Sequence, residues 1–250
     1  MSAKLYWFSL SHPSLAVRRM LELKQIEFRE IDVLPGTQRI HLRLAGFRHG
    51  TVPALRLGDG RRVQGSLQIA RALEQLTPEP SLFPRDPGLR RDAEEAERWA
   101  EAKLQSAPRV LLRWGLVHNL ELRRWLAEAA EMPMPAIAAR SSTPAARYYA
   151  HVIDADEAAA HRVVEALPGM LDNVDELLAG GTLAVDPPNA AALQALSSVR
   201  ALDAFTDLRG ALAGRPSTAA AHQLFPDFPG PIPRFVPPSW LGAIAPRDPL

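Results

Sequence analysis

A mixed α/β front followed by an all-helical body is the architecture this sequence predicts, and three features of its 250 residues predict it. The first 78 residues alternate short apolar runs with two amphipathic stretches, in the order strand–helix–strand, then strand–strand–helix. Beyond Pro87, apolar residues recur at helical spacing up to a proline-rich end. Between these regions lies Thr77 to Gly88, where four prolines and a glycine prevent a continuous helix. The sequence therefore divides into a front domain over 1–78, a linker over 79–88, a helical domain over 89–225 and a tail over 226–250.

In the front domain, Leu5 to Phe8 reads as a strand buried on both faces, and Ser11 to Lys24 as a helix with Val17, Met20 and Leu21 on one side. Phe28 to Val33 is a second strand, followed by a short helix or loop through Leu44. Thr51 to Leu57 and Arg61 to Gln64 are strands joined by Gly58-Asp59-Gly60, whose glycines allow a tight hairpin. Ser66 is expected to cap a helix carrying Ile69, Leu73 and Leu76 and ending before Pro78.

The helical domain opens with one long helix, Arg91 to Asn119, expected to kink at Pro108, and continues with Glu121 to Ala130. After the broken MPMP segment, Asp156 to Leu178 lines up Val163, Leu167, Leu171 and Val174, with a bend expected at Pro168-Gly169. Asn189 is placed to cap a buried helix over Ala191 to Leu202, and shorter helical pieces run to His222. The tail from Phe225 is expected to lie extended over the surface.

Composition narrows the chemistry. An apolar fraction of 47% supports a full core, and the absence of cysteine excludes disulfides, thiolate metal sites and a cysteine nucleophile. Lys and Arg (29) balance Asp and Glu (28), so the net charge of +1 offers no overall field for nucleic acid or an acidic membrane. The N-terminus has too short an apolar stretch for a signal peptide, and no run of about 20 apolar residues follows, so a cytoplasmic protein is expected. The seven histidines show no HxxxH or HExxH spacing, and no metal is expected.

Three features point to a site. Pro53 interrupts a strand, where its missing N–H breaks the ladder unless the chain compensates. A cis Val52-Pro53 bond turns the Val52 backbone outward to pair with an extended peptide, whereas a trans proline on an edge strand needs no ligand; spacing does not choose between them. Ser11, in SLSHPS, lies where a strand gives way to a helix, so its hydroxyl either caps that helix or donates to an anion at the helix N-terminus. Gln64-Gly65-Ser66 opens another helix, offering free N–H groups and a hydroxyl to a carboxylate or serving as a plain cap.

Taken together, KLYWFSLSHPSLAVRRMLELKQIEF, TVPAL and QGSLQIARAL resemble, in order and spacing, the first strand and helix, the cis-proline strand and the carboxylate-binding helix of the glutathione S-transferases. LPGMLDNVDELLAGG followed by PNAAALQALSSVRAL is similar to the core helices of many bacterial members. The resemblance implies a thioredoxin-like N-terminal domain, an all-helical C-terminal domain, a cytoplasmic homodimer and glutathione as co-substrate rather than bound cofactor. It assigns the thiolate-stabilising hydroxyl to Ser11, with Tyr6 second and Ser9 and Ser14 third. It assigns the cysteinyl backbone to Val52 before Pro53, the γ-glutamyl carboxylate to Ser66 in a site that Gln64 and Gly65 share, and the glycine carboxylate to Arg48 or His49. An apolar electrophile would meet Trp7, Leu10, Arg113, Trp114 and His118, although each tryptophan also suits plain core packing; Arg113 favours an anionic acceptor.

Two positions depart from the family pattern. Gly65 stands where many members carry an acidic residue or glutamine, and Ala192 stands where a buried capping box ends in aspartate. Three other readings therefore stay open: a non-catalytic ligand-binding module, a dimerisation module, and a transferase using another low-molecular-weight thiol.

Overall fold

The computed structural model describes residues 2–34 and 36–244 and divides into two compact units, both discontinuous in sequence. Unit 1 combines 1–101 with 177–198, and unit 2 combines 102–176 with 199–250.

Unit 1 is built on a four-stranded sheet of β1 (Ala3–Trp7), β2 (Phe28–Asp32), β3 (Ala54–Arg56) and β4 (Arg62–Gln64), in the order β2-β1-β3-β4. β1 and β2 are parallel, and the remaining pairs are antiparallel. This is the thioredoxin-like βαβ-ββα arrangement that the element order predicted. The crossover helix α1 (His12–Leu23) buries Ala16, Val17, Met20 and Leu21. The short α2 (Gln38–Leu44) buries only Leu42, which packs with Phe47 and Ala54 beside Tyr6 on the other face of the sheet. The hairpin forms at Gly58-Asp59-Gly60, where Gly60 takes a φ of 91° and Asp59 accepts from the Arg61 N–H. α3 (Ser66–Leu76) follows β4 directly.

The proline-rich linker is tied down by buried charge. Lys24, its side chain fully buried, donates to Glu74 Oε2 (2.5 Å) and to the Thr77 carbonyl (2.5 Å). Glu74 in turn accepts from the Leu82 N–H (3.0 Å) and the Ser81 hydroxyl (2.5 Å). Burial pushes the Glu74 carboxyl up, but these donors outweigh it and hold the group below its ordinary value.

The expected single helix over 91–119 is two helices. α4 (Pro87–Trp99) runs into a π-helical turn over Ala100–Leu104, and α5 (Ser106–His118) begins afresh. The interruption is therefore not at Pro108, which sits in the first turn of α5, where an absent N–H leaves no hydrogen bond unmade. Glu97 on α4 is fully buried, paired with Arg71 Nη2 (2.6 Å) and hydrogen-bonded by the Gln194 amide. Burial pushes its carboxyl up, against the pull of Arg71.

Unit 2 contains α5 and α6 (Leu120–Ala129), then two helices missing from the expected pattern, α7 (Pro135–Ser141) and α8 (Thr143–His151). α9 (Glu157–Ala179) runs through Pro168 without ending. α10 (Ala190–Asp203), which begins in unit 1 and ends in unit 2, is buried at every position from 191 to 200. Asn189 does cap it, accepting from the Ala192 N–H (2.8 Å). Alanine at 192 returns no side-chain bond, so the cap is one-sided. α11 (Arg209–Leu212) and α12 (Pro216–Leu224) complete the helices.

The tail is packed, contrary to the expectation of an extended segment lying over the surface. Phe225, Phe228, Ile232 and Val236 are buried, and Pro238–Ile244 forms a 3₁₀ helix. The Phe235 and Val236 N–H groups both donate to Asp207 Oδ2, at 2.7 and 2.9 Å. Phe235 lies against Gly115 so closely that a Cβ there would come within 2.5 Å of its ring. The last six residues of the expected tail lie outside the described residues.

Candidate active site

The register of the sheet brings the three predicted segments to one end. Tyr6 pairs with Ala54, and Ala54 with Gln64. The exit of β1 toward Ser11, the entry to β3 at Val52-Pro53 and the exit of β4 into Gly65-Ser66 therefore share the same edge. The Gly65 N–H donates to the Pro53 carbonyl (3.1 Å), joining two of these segments directly.

Ser11 occupies the N-cap position of α1, yet its hydroxyl makes no capping bond. Instead it accepts from the hydroxyl of the buried Ser14 (2.8 Å), and the Ser11 carbonyl accepts from the Ser14 N–H (2.8 Å). The Ser11 proton is thus left to donate outward, beside the positive end of the helix dipole. Spacing of three residues across the first turn is the sequence signal for this pair.

The Val52-Pro53 bond is cis. Pro53 is buried, and among the described residues the Val52 N–H and C=O have no hydrogen-bond partner. The proline does not interrupt β3 but precedes it by one residue.

At the third segment Gly65, not Ser66, is the N-cap of α3, with φ 86°. A glycine cannot cap through a side chain, so the first N–H groups of α3 have no side-chain cap, and Ser66 beside them is buried. The Gln68 carboxamide, unremarked in the sequence, lies across Gly65; a Cβ at 65 would come within 2.5 Å of its oxygen. Gln64 points elsewhere: its amide donates to the His49 (2.8 Å) and Thr51 (3.3 Å) carbonyls, and its oxygen accepts from the His49 N–H (3.0 Å). Gln64 thereby orders the loop ahead of Pro53, leaving the Arg48 and His49 side chains exposed.

The other predicted residues have separate settings. Tyr6 packs edge-on to Phe47 at 5.2 Å between centroids, and Ser9 sits in the turn closed by the Ser11 N–H to the Phe8 carbonyl. Trp7 and Leu10 are buried in unit 1, with the Arg18 guanidinium 5.4 Å from the Trp7 ring. In unit 2, Arg113 lies over Tyr149 at 5.0 Å, and burial pulls its guanidinium below the ordinary value. Trp114 stacks with Trp240 (4.9 Å) and neighbours His118 (5.2 Å). A concavity of about 410 Å³ beside Ala3, Ile26 and Leu57 is at the opposite end of the sheet and includes none of the predicted residues. Among the described residues no group of three acidic or histidine side chains could hold a metal, and no helix is long and apolar enough to cross a membrane.

Residues 5–81 match the family model described as glutathione S-transferase, N-terminal domain. The match spans the four-stranded sheet with helices α1 to α3. Solved glutathione S-transferases share the whole fold, including the helical remainder. A glutathione S-transferase from Methylobacterium radiotolerans JCM 2831, in complex with glutathione sulfonate, is similar at 18% identity and a TM-score of 0.55, over 100% of this chain and 98% of that one. The beta-etherase LigF from Sphingobium sp. strain SYK-6 is similar at 21% identity and a TM-score of 0.61, over 81% of this chain and 84% of its own. A glutathione transferase homolog from Sulfitobacter, with bound glutathione, is similar at 15% identity and a TM-score of 0.52, over 90% and 93%. Comparison with curated protein sequences gives no match.

Proposed function

We propose that this protein is a glutathione S-transferase that binds glutathione at the Ser11, Val52 and Ser66 edge and transfers its thiolate to an electrophilic carbon of an apolar acceptor. The observation that carries the reading is the Ser11 hydroxyl, which is not spent on capping α1 and accepts from Ser14. The Val52 N–H and C=O would pair with the cysteinyl backbone, and Ser66 with the α3 N-terminus would receive the γ-glutamyl carboxylate. Arg48 or His49 would meet the glycine carboxylate. The relatives with glutathione or its sulfonate bound support this choice of thiol. A cytoplasmic homodimer is part of the same reading.

The chemistry needs no cofactor. A free thiol has a pKa of roughly 8.5, so a few per cent is ionised at neutral pH. A hydrogen bond to the anion contributes about 1.5 to 3 kcal/mol and the helix terminus about 0.3 to 1 kcal/mol, together about one to three pKa units. The thiolate sulfur then forms a bond to the acceptor carbon, the leaving group departs with its electron pair, and the thiol proton passes to solvent.

A second reading follows from Gln64, whose carboxamide is already engaged with the His49 loop. It is therefore not available to hold a γ-glutamyl ammonium, which favours a thiol lacking that group. Calorimetric titration with glutathione, alongside thiolate absorbance, tests both. Binding with a thiolate signal that Ser11→Ala removes supports the transferase; no binding at millimolar glutathione sends the assignment to another thiol or to a ligand-binding module.

A further inference from the structure

The near-neutral net charge conceals an asymmetry. Residues 1–78 hold twelve Lys and Arg against six Asp and Glu. The sheet register gathers four of those cations into a single row. Lys4 pairs with Arg29 on one side and Arg56 on the other, and Arg56 pairs with Arg62. Paired residues project from the same face, so Arg29, Lys4, Arg56 and Arg62 form an unbroken line across all four strands, spaced by about 4.8 Å. Like charges directly opposite one another are unfavourable for a sheet. Nothing on the strands compensates: Glu30 projects from the other face to Arg18 (2.8 Å), and Glu27, two residues before Arg29, forms no ion pair among the described residues. Lys4, Arg29 and Arg56 likewise have no hydrogen-bond or ion-pair partner there, while Arg62 donates to the Ala45 carbonyl (2.9 Å).

That contact identifies the face as the one α2 covers at its other half, over Tyr6 and Ala54. α2 itself is inverted relative to an ordinary surface helix. Leu42 packs down onto the sheet, and Ile40 and Leu44, each two residues away and so turned roughly 160° from it, are 65% and 82% exposed. Arg39, His41 and Arg43 lie beside them, also exposed. The apolar pair and the cationic row therefore project in the same direction from one side of the sheet.

We propose that this face docks on the surface of an anionic lipid bilayer. Ile40 and Leu44 enter the headgroup boundary while the row and the α2 arginines meet lipid phosphates and carboxylates. Nucleic acid fits less well: the row runs across the strands without an exposed aromatic side chain for base stacking. The proposal is independent of the glutathione reading, since the row is at the opposite end of the sheet from Ser11 and Ser66.

The test is vesicle co-sedimentation of the full chain with phosphatidylcholine alone and with phosphatidylcholine mixed with phosphatidylserine. Binding to the anionic vesicles only, weakened by salt, is expected. At roughly fivefold per cation, the combined Lys4→Gln, Arg29→Gln, Arg56→Gln variant should lose about a hundredfold. Ile40→Ser with Leu44→Ser should weaken binding separately, which keeps the test informative if the charge variant misfolds. Circular dichroism serves as the folding control. Absence of binding, equal binding to uncharged vesicles, or tighter binding to DNA that ignores the Ile40 and Leu44 changes would overturn the proposal.

Discussion

The Ser14 hydroxyl donates to the Ser11 hydroxyl at 2.8 Å across the first turn of α1. Ser11→Ala should abolish the glutathione thiolate band, raising the bound thiol's pKa by about one to two units while leaving affinity within a few fold. Ser14→Ala should act in the same direction but by less, because the Ser11 donor stays and only its orientation is loosened. Spectroscopic pH titration of the bound thiol separates the two. Equal values for wild type and Ser11→Ala would remove the hydroxyl from the mechanism.

Gly65 combines a left-handed φ with the Gln68 carboxamide against its α-carbon. Gly65→Ala should cost about 1 to 2 kcal/mol in urea denaturation. It should also weaken glutathione binding by displacing the first turn of α3. Retained stability with lost binding would place Gly65 in recognition alone.

Two carboxyls, the half-buried Glu74 and the buried Glu97, should give opposite pH dependences. Glu74 is held below its ordinary value, so its contribution is present above the unfolded pKa and is lost as pH falls through the folded one. Glu97 is pushed up, so it favours the fold at acid pH, and that contribution declines as pH rises from the unfolded pKa through the folded one. Melting temperatures across the acid range should show Glu74→Gln reducing the acid-side loss and Glu97→Gln reducing the decline on the other side. In addition, Glu74→Ala leaves the Lys24 ammonium buried with only carbonyls and should cost about 3 kcal/mol.

Asp207 takes two backbone donors from the C-terminal segment on one oxygen. Asp207→Ala should lower stability by about 2 to 4 kcal/mol, measured by chemical denaturation. Limited proteolysis should then cut near Phe235 first, and unchanged cleavage would show that apolar burial alone holds the segment.

Features governed by neighbours in sequence were legible. The Gly58-Asp59-Gly60 hairpin and the Asn189 cap each depend on a few adjacent residues, and both form where expected. Features decided by distant packing were not. Proline content made the tail read as extended, whereas Phe225, Phe228, Ile232 and Val236, spaced by three or four residues, supply the apolar contacts that bury it. Pro108 reads as a kink because helical spacing continues across the π turn, which hides the Ser106-Ala107-Pro108 start even though it has the same Ser-x-Pro form as Ser11-His12-Pro13. At the candidate site, Ser11 takes the N-cap position and the Val52-Pro53 bond is cis, both open to local residue types, but Gln64 is drawn away by the His49 backbone, and Ser66 yields the cap position to Gly65.

Unit 1 takes in residues 177–198, which follow its sheet by more than a hundred positions. Ala190 donates to the Leu82 carbonyl, and Gln194 reaches the buried carboxylate of Glu97. During synthesis, then, the sheet emerges from the ribosome long before its last supports exist. A fragment ending after α4 would lack them, leaving Glu97 without Gln194 and the Leu82 carbonyl without its donor. Expression of residues 1–101 alone should therefore give a chaperone-dependent product, and a split version of this protein would have to be cut within unit 2 rather than at the prolines.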